Sequence, residues 1–297
     1  MPITREQWSE VESATYLFWD KENKKRKDFN AMLYNVQESD KAEEKHLGIG
    51  SIGHMSPWTG TVPYQEFTKG YDKGYRHAKY STGIQFEEEL FADKEYTQMK
   101  KREKKLNIAV YKTLQAHGVS TFNNAFDDTF DGPDEVALCS TAHPYSESNS
   151  TTQSNEWNYA LTIPNLKTVY NAMLKFTDDN GDKLMCQPSI LLTGIDYREE
   201  GLKICGPKSK NAEPFTADND PNIWDDLTYM FHPLIEGKKW FLIDRELMED
   251  ALNWYNRRIP TIASSNDFDT EVQKFKVVGR WSYGFDDWSW IAGSCAD

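Results

Sequence analysis

The sequence has no run of about 18 consecutive apolar residues, the length a membrane-spanning helix needs, so no transmembrane segment and no membrane partner is predicted. Its opening stretch, MPITREQWSEVE, lacks the basic and apolar regions of a secretory signal. Cysteine is scarce. Cys139, Cys186, Cys205 and Cys295 stand far apart without CxxC spacing, which argues against a zinc knuckle, a redox motif or a disulfide framework and leaves free thiols as the expectation. None of the six histidines (His46, His54, His77, His117, His143, His232) has a His or Cys at ligand spacing. Neither GxSxG nor GxxxxGK occurs, and GIGSIG at 48–53 has no strand before it and no βαβ setting. No catalytic, metal-binding or cofactor-binding residue is therefore assigned.

Apolar residues are also sparse, 38% of 297, against about 45–50% in ordinary globular domains. Aromatics reach 13%, so apolar burial leans on Trp, Tyr and Phe. Such side chains anchor protein interfaces, the plain alternative being a Trp-rich β core. The net charge of −13 is uneven: residues 1–120 hold 19 Lys/Arg and 18 Asp/Glu, and residues 121–297 hold 15 and 29. Free nucleic-acid binding is a poor fit to that balance, because phosphate neutralisation supplies most of such affinity. A local basic face stays open.

The pattern along the chain is α+β. Thr4 as N-cap, Gln7 closing a capping box and Ile3 stapled to Trp8 predict a helix from there to about Asp20. KENKKRKDF and QESDKAEEKH follow with little apolar content, which reads as an arm that cannot bury itself, or as a disordered tail. From Gly48 to Leu90, Gly and Pro punctuate short Tyr, Phe, Val and Ile runs, predicting a long β-hairpin. Tyr64, Tyr71, Tyr75 and Tyr80 alternate there with Lys69, Lys73 and Lys79. That mixture is too polar for a core and too aromatic for a solvated loop, and suits a hairpin lying on another surface.

Between Asp93 and His117 there is neither Gly nor Pro. Tyr96, Met99, Leu106, Val110 and Leu114 share one helical face, Lys94, Lys101, Lys105 and Lys112 fall opposite, and Gly118 reads as the stop. About 25 residues at ~1.5 Å each give a helix nearly 40 Å long. Further on, the pattern predicts a helix over 164–176, an Asn180-Gly181 turn, a strand in MCQPSILLTG and loop chemistry over 204–222. LTYMFHPLI and KKWFLIDREL, separated by Glu236-Gly237, read as a second hairpin. Two or three strands close the chain, with Trp281, Tyr283 and Phe285 on one strand face and, with Trp290, expected in a core against the long helix.

Three acidic stretches invite a catalytic reading. DDNGD at 178–182 starts like a calcium loop, but Ser189 stands where a bidentate Glu is needed, so a turn is the better reading. Asp286 and Asp287 could suit glycoside hydrolysis, except that neighbours on a strand point to opposite faces. FNNAFDDTFDGPDEVALCSTAHP at 122–144 gathers four aspartates, a glutamate, a cysteine and a histidine, yet nothing sets His143 against a nucleophile.

That last stretch carries a resemblance instead. Asn123-Asn124-Ala125-Phe126, Asp131-Gly132, Leu138-Cys139-Ser140 and His143-Pro144 resemble the sequence after the spine helix in major capsid proteins of tailed phages, the Mu-like head subunit group in particular. The likeness extends through GIQFEEELFADKEY, the long helix, PNLKTVYNAMLKF, CQPSILLTG, KKWFLID and FKVVGRWSYGFDDWSWIAGS, and so covers most of 48–297. It implies a Hong Kong 97-type capsid fold with an N-terminal arm (1–47), an extended loop (48–92), a peripheral domain (93–155 and 266–297) built on a spine helix (93–117), and an axial domain (156–265).

The function implied is a structural subunit, not an enzyme, that self-assembles as hexamers and pentamers into the icosahedral shell around a double-stranded DNA phage genome. It would be made in the host bacterial cytoplasm. Trp58, Tyr64, Phe67, Tyr71, Tyr75 and Tyr80 would make inter-subunit contacts. Lys94, Lys101, Lys105 and Lys112 would form an inner-face basic stripe in weak, non-specific contact with the packaged DNA or with scaffold. A separate scaffold protein is expected, since the arm begins at once, along with portal and possible decoration proteins. Some relatives cross-link the loop through a Lys-Asn isopeptide bond; Lys69, Lys73 or Lys79 could serve, but no matching acceptor and acid pattern is seen. The competing readings are an encapsulin-like nanocompartment shell and an acidic carbohydrate-active enzyme.

Overall fold

A computed structural model describes residues 5–146, 149–205, 227–267, 270 and 272–296. The chain starts with α1 (Arg5–Lys24), a short α2 (Asn30–Leu33), and strands β1 (Asn35–Glu38) and β2 (Glu43–His46). The cap residues Ile3 and Thr4 lie outside the described residues. An irregular excursion over 47–72 leads into β3 (Lys73–Arg76) and β4 (Ala78–Glu87), followed by α3 (Glu88–Ala92) and the long α4 (Tyr96–Asn123). Next come β5 (His143–Ser146), β6 (Asn149–Gln153), β7 (Glu156–Trp157), α5 (Ile163–Met173), β8 (Pro188–Thr193) and α6 (Arg198–Cys205). The loop expected over 204–222 falls almost wholly outside the described residues. After them the chain completes β9 (Thr228–Phe231), β10 (Lys239–Asp244), α7 (Arg245–Ala251), β11 (Leu252–Asp267), β12 (Val272–Phe285) and β13 (Ile291–Cys295).

Two sheets organise this material. A four-stranded sheet has the order β1-β11-β12-β4, and a five-stranded sheet the order β7-β13-β10-β8-β9. In β12 alternate residues point one way: Phe275, Val277 and Trp281 are buried, while Lys274 and Lys276 are exposed on the other face. Its apolar face receives α1 and α4, with Trp19, Leu106 and Val277 forming one cluster and Phe86, Met99 and Phe275 another. The five-stranded sheet is buried on both sides, which explains the nearly continuous apolar runs ILLT in β8 and WFLI in β10. One large core joins both sheets, from Leu33 and Trp254 to Trp240 and Trp290. Sheet membership therefore cuts across the segment boundary at 265/266, because β11 pairs with β12 and β13 pairs with β10.

The structure departs from the sequence reading in several places. The long helix runs on through Gly118, which does not stop it; a Cβ there would lie 1.8 Å from Asn30 Oδ1. Gly118 is the point where the arm is pressed onto the helix. That arm is not free along its length: Trp19, Phe29, Leu33 and Tyr34 are buried, and the Tyr34 hydroxyl donates to Gly118 O at 2.8 Å and lies 2.9 Å from Thr121 Oγ1. Lys94 precedes the helix in a left-handed turn, φ 58°. Finally, β9 and β10 form no hairpin. β9 lies parallel to β8 and β10 antiparallel to it, so β8 separates them. Glu236-Gly237 turns the chain (Gly237 φ 76°), but the segment crosses over a strand before it pairs.

Candidate inter-subunit surfaces

The first surface is the excursion over 47–72. Its base is a narrow ribbon in which Gly50 N donates to Thr68 O at 2.8 Å and Gly70 N donates to Gly48 O at 2.9 Å. The strands approach so closely that a Cβ on Gly48 would lie 2.3 Å from Tyr71 O. The ribbon rests on the Asn180-Gly181 turn: Ser51 N and Thr68 Oγ1 donate to the two oxygens of Asp179 at 3.0 and 2.9 Å, and Asn180 Nδ2 donates to Ser51 O at 3.1 Å. These bonds hold the Asp179 carboxyl below its ordinary pKa against the opposing effect of burial. DDNGD is thus a clasp for the loop, made from turn chemistry.

Beyond the clasp the apolar side chains lose their partners. Met55 is 99% exposed, Tyr64 93%, Trp58 73% and Phe67 62%, with Leu47, Ile49, Ile52 and Val62 also exposed. So dense a run of exposed large apolar groups is the mark of an interaction surface. Tyr75 and Tyr80 belong elsewhere, contrary to the sequence expectation. Tyr75 is buried and its hydroxyl donates to Asp286 Oδ1 at 2.5 Å, and Tyr80 stacks on Trp281 with centroids 4.4 Å apart. Pairing of β4 with β12 pulls this half of the hairpin into the chain's own sheet. Tyr71 is half-buried at the ribbon base.

The second surface is the outer side of α4, where Lys101, Lys105 and Lys112 are exposed; Lys94 is exposed too, but off the helix. Of the aromatic strand residues, Trp281 and Tyr283 do pack on this helix. Trp281 Nε1 donates to His117 Nδ1 at 3.1 Å, and Ser120 Oγ donates to the Tyr283 hydroxyl at 3.0 Å. Trp290 meets Phe122 edge-on.

The residues of the acidic stretches are engaged in contacts within the chain. His143 is fully buried, with Nδ1 at 2.7 Å from Asp134 Oδ2 and Nε2 at 3.1 Å from Asn155 Oδ1. Asn155 is fixed in that orientation because its Nδ2 donates to Leu138 O and Ile291 O. Both ring nitrogens are therefore engaged within the chain. This buried cross-link ties the 122–144 stretch to β13, a role that sequence reasoning missed because Asp134, His143 and Asn155 are joined only by the fold. Asp286 and Asp287 point apart: Asp286 also accepts from Asn253 Nδ2 and sits 2.6 Å from His46 Nδ1, while buried Asp287 accepts from Trp288 N and Ser289 Oγ. Burial raises the Asp287 pKa. Among the described residues no group of three or more His, Cys, Asp and Glu is placed to hold a metal ion, and no helix is long and apolar enough to cross a membrane.

No family model and no curated protein matches the sequence. Solved structures do match. The chain superposes over 99% of its length on 77% of a subunit from the procapsid of bacteriophage JBD30, with a TM-score of 0.59 at 12% identity. It covers 92% of a chain of Microbacterium phage Oxtober96, using 92% of its own length, at TM-score 0.53 and 12% identity. A virus-like particle from Pyrococcus furiosus gives TM-score 0.56 at 8% identity, over 95% of this chain and 98% of that one. The chain has the Hong Kong 97-type capsid fold.

Proposed function

We propose that this chain is the major head protein of a tailed phage, assembling through non-covalent contacts into an icosahedral shell around double-stranded DNA. It acts as a structural subunit and not as an enzyme, and its place is the virion. The observation that carries this reading is the extended loop: a string of large apolar side chains projects from a folded chain and stays exposed among the described residues. The fold shared with phage procapsid subunits supports the same reading. Within tailed phages, the motifs after the spine helix favour the Mu-like head subunit group. The 48–92 loop, the peripheral segments 93–155 and 266–297, and the axial segment 156–265 are the working division of labour.

The partners proposed are further copies of itself, a scaffold and a portal. A decoration protein is a further candidate, since the JBD30 capsid that this chain also resembles, at TM-score 0.52, is decorated with minor capsid protein trimers. The likeness to the Pyrococcus furiosus particle favours a second reading, a nanocompartment shell without a genome. Sizing of the purified protein tests both. A particle of megadaltons is expected, and a species of 34.4 kDa alone overturns both shell readings. Nuclease-protected DNA in particles from infected cells then separates phage head from nanocompartment.

A further inference from the structure

The N-terminal arm and the spine helix together form a feature that neither shows alone. α1 and α4 lie side by side and run in the same direction: Thr15 Oγ1 donates to Glu103 Oε1 at 2.6 Å, Asn107 Nδ2 to Asn23 Oδ1 at 2.7 Å, and the Tyr111 hydroxyl to Lys27 O at 3.1 Å. The Arg26 guanidinium sits 4.8 Å from the centre of the Tyr111 ring and donates to Asn107 O. The basic end of the arm is thus fixed against the basic stretch of the spine helix.

Residues 21–27 bring Lys21, Lys24, Lys25 and Lys27 to this face, all exposed. Residues 100–112 bring Lys100, Lys101, Lys104, Lys105 and Lys112, also exposed. The two segments contain eleven basic residues and two acidic ones in a chain whose net charge is −13. One acid, Glu103, is buried and bonded to Thr15; the other, Glu22, pairs with Lys25 at 2.6 Å. Among the described residues, the other eight lysines have no ion-pair partner.

The two arginines are committed elsewhere: Arg26 to Tyr111 and Asn107, and Arg102 to Gln85 O at 3.0 Å and Glu87 at 3.3 Å. What the face offers is therefore lysine alone. A lysine ammonium acts on phosphate as a mobile point charge without the bidentate geometry of a guanidinium, which suits binding to a regular phosphate backbone without sequence preference.

We propose that α1 and α4 form one composite polyanion-binding face, and that its ligand is the phosphate backbone of duplex DNA, bound without sequence preference. The proposal rests on the shell reading for its biological setting. It adds that the arm, and not the spine helix alone, supplies the charge. Because attraction comes from released counterions, the binding is steeply salt-dependent, with each phosphate neutralised contributing about −0.9 to the slope of log K against log salt.

The test is fluorescence anisotropy of a labelled duplex with the full chain across a salt series. An arm variant (Lys21→Gln, Lys24→Gln, Lys27→Gln) and a helix variant (Lys101→Gln, Lys105→Gln, Lys112→Gln) are compared with the parent, and thermal melting confirms that each still folds. Each variant is expected to flatten the salt slope by about 1 to 3 and to weaken binding about tenfold or more at low salt. An unchanged slope in the arm variant overturns the composite face, as does an unchanged slope in both. Polyglutamate displacing the duplex at equal charge concentration would instead assign the face to an acidic protein segment. Binding is read on the unassembled subunit, since a closed shell would hide an inner face, and particle mass is scored separately: a protein that assembles but whose free subunit binds no duplex overturns this inference alone, and duplex binding by a species that never assembles overturns the shell reading alone.

Discussion

The two parts of the aromatic hairpin have a similar share of aromatic residues and opposite fates. Over 48–72, Tyr64 is 93% exposed; over 73–87, Tyr75 is 3% exposed. The difference is the strand next door. Tyr75 lies on β3, which pairs with β2, and from Ala78↔Trp281 to Glu87↔Val272 β4 is paired residue by residue with β12, which fixes which face meets the core. The 48–72 half is held by its own ribbon base, by the clasp at Asp179 and by His54 beside Asp182. Aromatic content states that surface must be buried. It does not state against which chain.

The sharpest way to break this comparison is to remove the unpartnered half. Replacing residues 54–67 with a short Gly-Ser linker keeps the clasp residues Ser51 and Thr68 and leaves β3 and β4 intact. Assembly should be abolished while the subunit melts within a few degrees of the parent, because apolar burial at about 25 cal/mol per Å² is lost at every subunit contact but nowhere inside the subunit. Closed shells at normal yield would sink the interface reading. A longer cut over 60–84 should give a different outcome, loss of the fold, since it takes out β3 and most of β4.

Trp58 and Trp281 sharpen the contrast to single side chains. Trp281 is 3% exposed, stacked on Tyr80 and hydrogen-bonded to His117, and Trp58 is 73% exposed. Trp281→Ala is expected to destabilise the isolated subunit by about 3 to 5 kcal/mol in urea unfolding. Trp58→Ala should stay within about 0.5 kcal/mol of the parent and show its effect only in assembly yield. Equal losses of subunit stability would mean that the loop is packed on its own chain after all.

Much of the packed part was legible. The long helix, the Pro-started helix capped by Thr162, the Asn180-Gly181 turn and the buried strands β8 and β10 all follow from periodicity and turn chemistry. What could not be read shares one cause: it depends on contacts between segments distant in sequence. Gly118 looks like a helix stop until Asn30 is placed against it. The charged arm looks unburied because its four buried anchors, Trp19, Phe29, Leu33 and Tyr34, are spread among polar residues. The false hairpin at Glu236-Gly237 had sound turn chemistry, and only the position of β8 decides against it. The buried Asp134–His143–Asn155 link in the 122–144 stretch was not legible for the same reason.

Gly118 gives a smaller effect on the same theme. In Gly118→Ala, the new methyl group must displace Asn30, whose side chain is buried and donates to Leu114 O at 3.0 Å. Overpacking of this kind costs about 1 to 3 kcal/mol. Helix propensity alone would favour Ala over Gly by about 1 kcal/mol, so the sign of the measured change decides whether close approach or backbone freedom governs this position. A stabilised variant would remove the arm contact from the list of things that hold the helix.

The smallest expected effect concerns pH and lies on the packed side of the comparison. His117 sits among Tyr80, Trp281 and Tyr283, and burial lowers its pKa below the usual histidine value. Its Nδ1 accepts the Trp281 indole N–H, and a proton there would set donor against donor. A depressed histidine pKa means that the unfolded chain takes up a proton before the folded one does. Its contribution to stability is therefore full above about pH 6.5 and is lost as pH falls through the folded pKa. His77 and His232 are shifted down by burial as well, so they add the same sign. Buried Glu103 and Asp287, with raised values, act in the opposite direction on acidification. Comparing the parent with His117→Gln cancels those shared contributions. Between about pH 7.5 and about pH 5.5 the parent should lose more urea stability than the variant, whose amide oxygen can still accept from Trp281 but cannot titrate. The loop, whose only histidine among the exposed residues 48–67 is His54 beside Asp182, should leave this difference unchanged when it is shortened. A pH response that disappears with the loop instead would place the sensitive group at the clasp and not in the core.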